Sequence, residues 1–513
     1  MNYKTRVINC TITFCVLAFC SIQVVAQNIT ARIDSFFLAT GNDENINGNV
    51  LIAEKGKLIY QRSFGFADFE KTKRNKQNSS FNIASVTKTF TATAILQLRE
   101  KGELQLDEFF IKYFPDFPYP AVTIRNLLSH TSGLADLEIF FEPLNKEPGR
   151  IFTNADVIPC LKLYNKPLKF QPGDDWNYCN TNYELLALLV EKIGQQSFAS
   201  YLQQHIFLPA GMINTYIETE KINREDTMSV KCYMPGKLYQ STYMPVDSVA
   251  SPMIHYILDN FSGLQGQGMI VSTLPDLLKY DNALYTGKLL SNTSLKEAFT
   301  PVTLNKEKDY NASLSSRLGK AYYGLGWEIY ADSSMGKVVS HGGSYPGIMT
   351  LFLRNVSKKQ TIILFDNTNW TGIFFMGHMA LRMLNEMPVI NLLPKKSIAR
   401  VYGLSLMENG SETAINSLLE LRTDTIHYTV SEKEFNTLGY QFLMDGYIQK
   451  AVETFRLNSL LFPASFNVYD SYADALVKNN QKDAAIVMYR KSLSLNPGYE
   501  EAKNKLNKLL ENK

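Results

Sequence analysis

The sequence has no excess of charge of either sign, no cysteine framework and no paired metal-binding histidines. Its 52 lysines and arginines against 49 aspartates and glutamates leave a formal charge of +3 over 513 residues. A protein that grips nucleic acid by its phosphates carries a basic excess or a basic run. Neither occurs here, so no nucleic-acid partner is expected. Three of the six cysteines, Cys10, Cys15 and Cys20, lie in the first 26 residues. The others, Cys160, Cys179 and Cys232, are too few and too far apart for a disulfide scaffold. The histidines (130, 205, 255, 341, 378, 427) form no HExxH or comparable pair, so no metal or other cofactor is expected. Low complexity is also absent: 45% of residues are apolar and 20% charged, as in a globular protein. The length is about three times a typical ~150-residue domain, which predicts more than one.

Long apolar runs are confined to the N-terminus. Lys4 and Arg6 precede an apolar stretch from Val7 to about Cys20, and Val24-Val25-Ala26 follows. This pattern predicts a signal peptide over residues 1–26, cleaved after Ala26, and a secreted or periplasmic mature chain. The run is short for the ~20-residue span of an uncleaved anchor. Phe19 is bulky where lipid attachment at Cys20 would want a small residue. No later stretch reaches ~18 apolar residues, so no stable membrane insertion is expected after cleavage.

Hydrophobic patterning predicts a short helix near 28–38, then a hairpin over Gly48–Tyr60 around Lys55-Gly56. A helix is predicted from Ser85 to Glu100, stopped by Gly102, and helices dominate from about Ala121 to Leu208. Strands return at 338–340, 349–354 and 361–365, and a helix closes the segment at 371–386. The expected fold class is α+β: an antiparallel sheet built from both ends of this segment, flanked by helices and a helical domain. The segment runs over 27–386, with a linker at 387–397 around Pro394. Beyond it, over 398–513, Ala451, Phe455 and Pro463 recur 34 residues later as Ala485, Tyr489 and Pro497. Leu438-Gly439 and Phe442 fit the first helix of such a unit, Ala414 and Leu418 a degenerate earlier one, and 500–510 a capping helix. This period resembles the tetratricopeptide repeat, which implies an all-α tail that contacts a protein partner or docks within the chain.

Chemistry first shows in Ser85-Val86-Thr87-Lys88. A serine hydroxyl needs a base to become a nucleophile, and a lysine one helical turn on reaches it. Backbone N–H groups at the helix start face a developing negative charge. Two further stretches follow in order: Tyr178-Cys179-Asn180 before an apolar helix, and His341-Gly342-Gly343 at the end of a strand, followed by Ser344. The ordered trio S-x-x-K, Y-x-N and H-x-G resembles the serine β-lactamase and penicillin-binding superfamily, most closely its class C branch. Thr123–Leu134, Gly266-Gln267-Gly268 and Gly324-Leu325-Gly326-Trp327 carry the same resemblance, which spans residues 28 to 386.

The resemblance implies that Ser85 forms an acyl-enzyme and that Lys88 and Tyr178 share the proton transfers, with the base left open between them. Asn180 would hold Lys88 and a substrate carbonyl. His341, Gly343 and Ser344 would line the substrate site, and the N–H groups of Ser85 and Ser344 would form the oxyanion hole. His130 is expected to be a structural hydrogen-bonder away from the motifs, and Cys179 a neutral filler. β-Lactamases of this branch usually carry Lys-Thr-Gly where this chain has His341-Gly342-Gly343, and that lysine and threonine hold the substrate carboxylate. Some DD-peptidases of the family carry histidine here, so His341 alone does not exclude them. A histidine is mostly neutral at pH 7, however, Gly342 has no hydroxyl to offer, and a lost charge-assisted hydrogen bond costs about 1.5–3 kcal/mol. The leading expectation is therefore a serine hydrolase acting on an ester, small amide or peptide. The alternatives are a DD-carboxypeptidase or peptidoglycan peptidase with weak β-lactamase activity, and a non-catalytic scaffold working through the repeats.

Overall fold

The computed structural model describes residues 29–39, 46–218, 226–305, 314–316, 319–389 and 395–511. The expected signal peptide, and residues 390–394 of the expected linker, lie outside the described residues. The chain divides into two compact units. One contains the residues before Pro235 together with Pro245–Asn391; the other contains Pro235–Met244 and Leu392–Lys513.

The first unit is built on an antiparallel sheet of eight strands among the described residues. These are β1 (Gly48–Glu54), β2 (Lys57–Ser63), β3 (Leu314–Ser316), β4 (Gly319–Tyr323), β5 (Glu328–Tyr330), β6 (Val338–Tyr345), β7 (Ile348–Asn355) and β8 (Gln360–Asp366), in the order β3-β4-β5-β6-β7-β8-β1-β2. Pairing of β1 with β8, from Gly48 opposite Asp366 to Glu54 opposite Gln360, joins the early hairpin to the late strands. The expected α+β architecture is present. Every residue of β7 and β8 is buried, because both faces of the sheet are covered. On one face Leu351, Leu364 and Ile362 meet the closing helix at Gly377. On the other, Phe352 packs against Tyr280 and Trp327.

Helix α1 (Thr87–Glu100) runs through this unit with nearly every side chain buried. Its four threonines are weak helix formers. Thr89 and Thr93 spend their hydroxyls on the carbonyls of Val86 and Thr89, at 2.9 and 2.8 Å, which satisfies them without solvent. Phe90 stacks on Tyr280 at 4.0 Å. The helix is held by packing on all sides, and that places Lys88 in the interior.

The second unit is helical, with α2 (Ile398–Glu408), α3 (Ser411–Leu421), α4 (Glu432–Met444), α5 (Ile448–Leu461), α6 (Phe466–Lys478), α7 (Lys482–Leu495) and α8 (Glu500–Glu511). Of the residues read from the 34-residue period, Ala451, Phe455, Ala485 and Tyr489 are buried in its core together with Leu438 and Phe442, while Pro463 and Pro497 are exposed. Pro235–Met244 belongs to the same unit although it lies inside the stretch expected for the sheet-containing segment. Tyr239 stacks on Phe442 at 4.6 Å and hydrogen-bonds Asp445, which also pairs with Lys237. Leu238 N–H donates to Gln441 Oε1 at 2.8 Å, and Arg400 donates to the carbonyls of Lys237 and Gln240.

Candidate active site

Ser85 lies on a short 3-10 turn, Ala84–Val86, immediately before α1. Ala84 has φ of 48°, in the left-handed region that a side chain disfavours. The strain is held by two bonds: Ala84 N–H donates to Asn82 Oδ1 at 2.7 Å, and Thr350 Oγ1 donates to the Ile83 carbonyl at 2.9 Å. Strand β6 presses on this turn. A Cβ at Gly343 would lie 2.1 Å from Thr350 Oγ1 and 2.6 Å from the Ile83 oxygen, so the approach requires glycine.

Lys88 is fully buried, and its Nζ donates to three neutral acceptors: Ser85 Oγ at 3.1 Å, Asn180 Oδ1 at 2.9 Å and the Gln267 carbonyl at 3.1 Å. Burial pulls its pKa down to about 7, and the more distant carboxylates of Glu184 and Asp136 offset only part of that. Tyr178 also hydrogen-bonds Ser85, and Lys88 Nζ lies 4.9 Å from the centre of its ring. Burial pushes the Tyr178 phenol well above its ordinary value, and the Ser85 bond offsets this only in part. Of the two groups, lysine is the one that can be neutral near pH 7, and tyrosine keeps its proton. A hydroxyl between a neutral amine and a phenol can give up a proton and attack a carbonyl.

Two carboxylates that the motifs do not include position these groups. Asp136 accepts from Asn180 N (2.6 Å), Thr181 N (3.2 Å) and Asn180 Nδ2 (3.1 Å). It thereby satisfies free amides at the start of the helix Asn180–Gly194 and turns the Asn180 carbonyl oxygen toward Lys88. Glu184, 0% exposed, accepts from Gly266 N (2.9 Å) and Gln267 N (3.1 Å), which fixes the loop whose carbonyl receives Lys88. Burial lifts its pKa to about 7 against those two amides. Sequence reasoning missed both, since a lone Asp in a loop and a lone Glu in an apolar helix carry no motif.

His130 also differs from expectation. It does act as a structural hydrogen-bonder, with Nδ1 accepting from Cys179 N at 3.1 Å. It is not away from the motifs, because its ring lies 4.4 Å from that of Tyr178. Cys179 is buried, and burial raises its thiol far from the thiolate form, so it is inert near neutral pH.

The third motif lines the same cavity as Ser85, Tyr178 and Asn180, a space of about 560 Å³ that also contacts His341, Gly343 and Ser344. All the motif residues except the interior Lys88 thus open onto one cavity. His341 is buried and both ring nitrogens are engaged: Nδ1 meets the Gly342 carbonyl at 2.7 Å, and Nε2 meets Tyr323 OH at 2.9 Å. Burial, with Lys88 adding to it, drops its pKa to about 3, so the imidazole is neutral. A side chain at Gly342 would begin 2.8 Å from the Phe374 ring, which fills the place a hydroxyl-bearing residue would need.

A serine, tyrosine and asparagine that line one cavity, with a buried lysine behind the serine and the interior strand β6 of an antiparallel sheet alongside, define a serine hydrolase of the penicillin-binding type. Residues 33–374 match the family model described as Beta-lactamase, and the chain belongs to that family. It is 35% identical over 344 residues to penicillin-binding protein 4* of Bacillus subtilis (strain 168), covering 66% of this chain and 72% of the relative. To the putative penicillin-binding protein PbpX of the same organism it is 31% identical over 348 residues, covering 67% and 75%. The octameric penicillin-binding protein homologue from Pyrococcus abyssi shares the fold, with a TM-score of 0.57 at 23% identity, over 71% of this chain and 79% of that one.

Proposed function

We propose that the protein hydrolyses esters or small amides through an acyl-enzyme on Ser85, with Lys88 as the base, in the manner of the class C branch. The carrying observation is Lys88 Nζ at 3.1 Å from Ser85 Oγ, with its pKa brought down to about 7. Neutral Lys88 takes the Ser85 proton as Oγ bonds to the substrate carbonyl carbon. The resulting oxyanion is met by the N–H groups of Ser85 and Ser344. As the tetrahedral intermediate collapses, the leaving group departs with a proton delivered from Lys88 through Tyr178. Water then attacks the ester on Ser85, giving its proton to Lys88, and the acid leaves as Ser85 regains its proton.

A DD-peptidase reading draws support from the relatives named as penicillin-binding proteins. The cavity speaks against it: His341 is neutral and Phe374 takes the space of a hydroxyl-bearing residue at position 342, so the third motif offers a substrate carboxylate no cation. A pure scaffold would have no use for Ser85, Lys88, Tyr178 and Asn180 together. For the helical unit, which we read as tetratricopeptide-like, the repeat pattern supports a role in protein contact. A secreted or periplasmic site rests on the N-terminal pattern; among the described residues no helix is long and apolar enough to cross a membrane.

A serine-directed phosphonate, followed by peptide mass mapping, tests the nucleophile. Its mass should appear on the peptide containing Ser85 and vanish in Ser85→Ala; undiminished labelling of that variant refutes the assignment. Aryl esters, a chromogenic cephalosporin and a D-Ala-D-Ala peptide, each run against Ser85→Ala, then rank the substrate classes.

A further inference from the structure

The cavity beside Ser85 contains a carboxylate that the hydrolytic steps do not use. The chain alternates from Trp327 through strand β5, sending Trp327 and Ile329 into the core while Glu328 and Tyr330 line the cavity. Glu328 Oε2 accepts from Ser340 Oγ at 2.9 Å, and Ser340 Oγ is 3.1 Å from Tyr330 OH. With the serine proton committed to the carboxylate, the tyrosine hydroxyl donates to the serine, so both are oriented to support a negative charge. Burial lifts Glu328 to about 7, and the Ser340 bond is what offsets it. Among the described residues no lysine, arginine or histidine forms an ion pair with it. Much of the remaining wall is apolar, from Leu137, Ile257, Phe261, Leu264 and Phe374. A carboxylate enclosed without a cation is unfavourable until one arrives.

We infer that Glu328 is a specificity-determining residue that favours ester and amide substrates carrying an ammonium group beside an apolar side chain, and disfavours those carrying a carboxylate. The inference rests on Ser85 being the nucleophile of this cavity. It reverses the electrostatic preference that a lysine at the third motif would give. Neutral His341 and side-chain-free Gly342 offer nothing to an anion there, while Glu328 offers a partner to a cation.

Three methyl esters of one skeleton separate the effects: phenylalanine, 3-phenylpropanoate and the mono-ester of benzylmalonate place an ammonium, a hydrogen or a carboxylate on the same carbon. Wild type should rank them in that order by kcat/KM, with about tenfold or more between the first two, as for a charge-assisted hydrogen bond. Glu328→Gln keeps the shape and the Ser340 bond, and should bring the ammonium-to-hydrogen ratio close to one. Calorimetric binding of 2-phenylethylamine against 3-phenylpropanoate to wild type and Glu328→Gln gives the same comparison without turnover. Should no ester be hydrolysed in a Ser85-dependent way, the hydrolase reading fails and the binding order alone decides the role of Glu328. Equal treatment of ammonium and hydrogen by wild type, or an unchanged ratio in Glu328→Gln, overturns the inference. If that variant unfolds, wild-type binding still decides it: a preference for the amine supports the role, and equal or reversed affinities overturn it.

Discussion

Two lysines, one in each unit, are placed in opposite electrostatic settings. Lys505 in the helical unit forms ion pairs with Asp470 (3.0 Å), Asp474 (2.9 Å) and Glu501 (3.0 Å). Burial alone would lower its pKa, but hydrogen bonds and charge from Asp474 and Asp470 outweigh it, and the ammonium is held charged. Lys88 is more deeply buried and touches only neutral oxygens, so burial wins and the proton becomes loose near pH 7. The carboxylates around Lys88 are spent on backbone amides instead: Asp136 on the start of a helix, and Glu184 on the 266–267 loop. A lysine ringed by carboxylates braces a structure; one surrounded by neutral acceptors becomes a base.

The largest expected effect tests the second half of that contrast. Lys88→Ala and Tyr178→Phe should each lower kcat/KM on an aryl ester by about a thousandfold or more, and the double variant by little beyond the worse single. Multiplicative losses would mean that the two groups act separately. Next in size is Asp136→Ala, expected to cost about a hundredfold in kcat through misdirection of Asn180, with labelling of Ser85 slowed but still present. Gly342→Thr should lower stability by about 1–3 kcal/mol, because the new side chain meets Phe374. Adding Phe374→Ala should relieve the overlap, visible as a partial recovery of the melting temperature. The smallest change is Lys505→Met, which leaves Asp470 without its cation. It should weaken the helical unit by about 1–2 kcal/mol in chemical denaturation and leave ester hydrolysis unchanged. A loss of hydrolysis there would break the division of roles between the two lysines.

What the sequence made legible follows from how far apart the partners are. Ser85 and Lys88 are three residues apart, and Ala451 and Phe455 one helical turn apart, so local spacing reveals them. The three motifs are distant, yet each is recognisable within its own few residues. Asp136 and Asn180 are separated by 44 residues, Glu184 and Gly266 by 82, and His130 and Cys179 by 49. Nothing local marks such pairs, and the structure alone supplies them. The placement of Pro235–Met244 is the extreme case, since Tyr239 and Asp445 are 206 residues apart. Glu328 adds another: it looks like an ordinary strand carboxylate until β5 is seen to turn it into the cavity.

The pH dependence of Ser85 acylation by an uncharged phosphonate tests the central claim most directly. Lys88 accepts a proton only in its neutral form, so the second-order labelling rate should be low in acid, rise with a midpoint near pH 7 and level off above pH 8. Lys88→Arg, which stays charged, should remove that rise. A labelling rate that climbs without a plateau toward pH 10, as for an unperturbed lysine or tyrosine, or that is flat from pH 5 to 9, would contradict the assignment of Lys88 as the base.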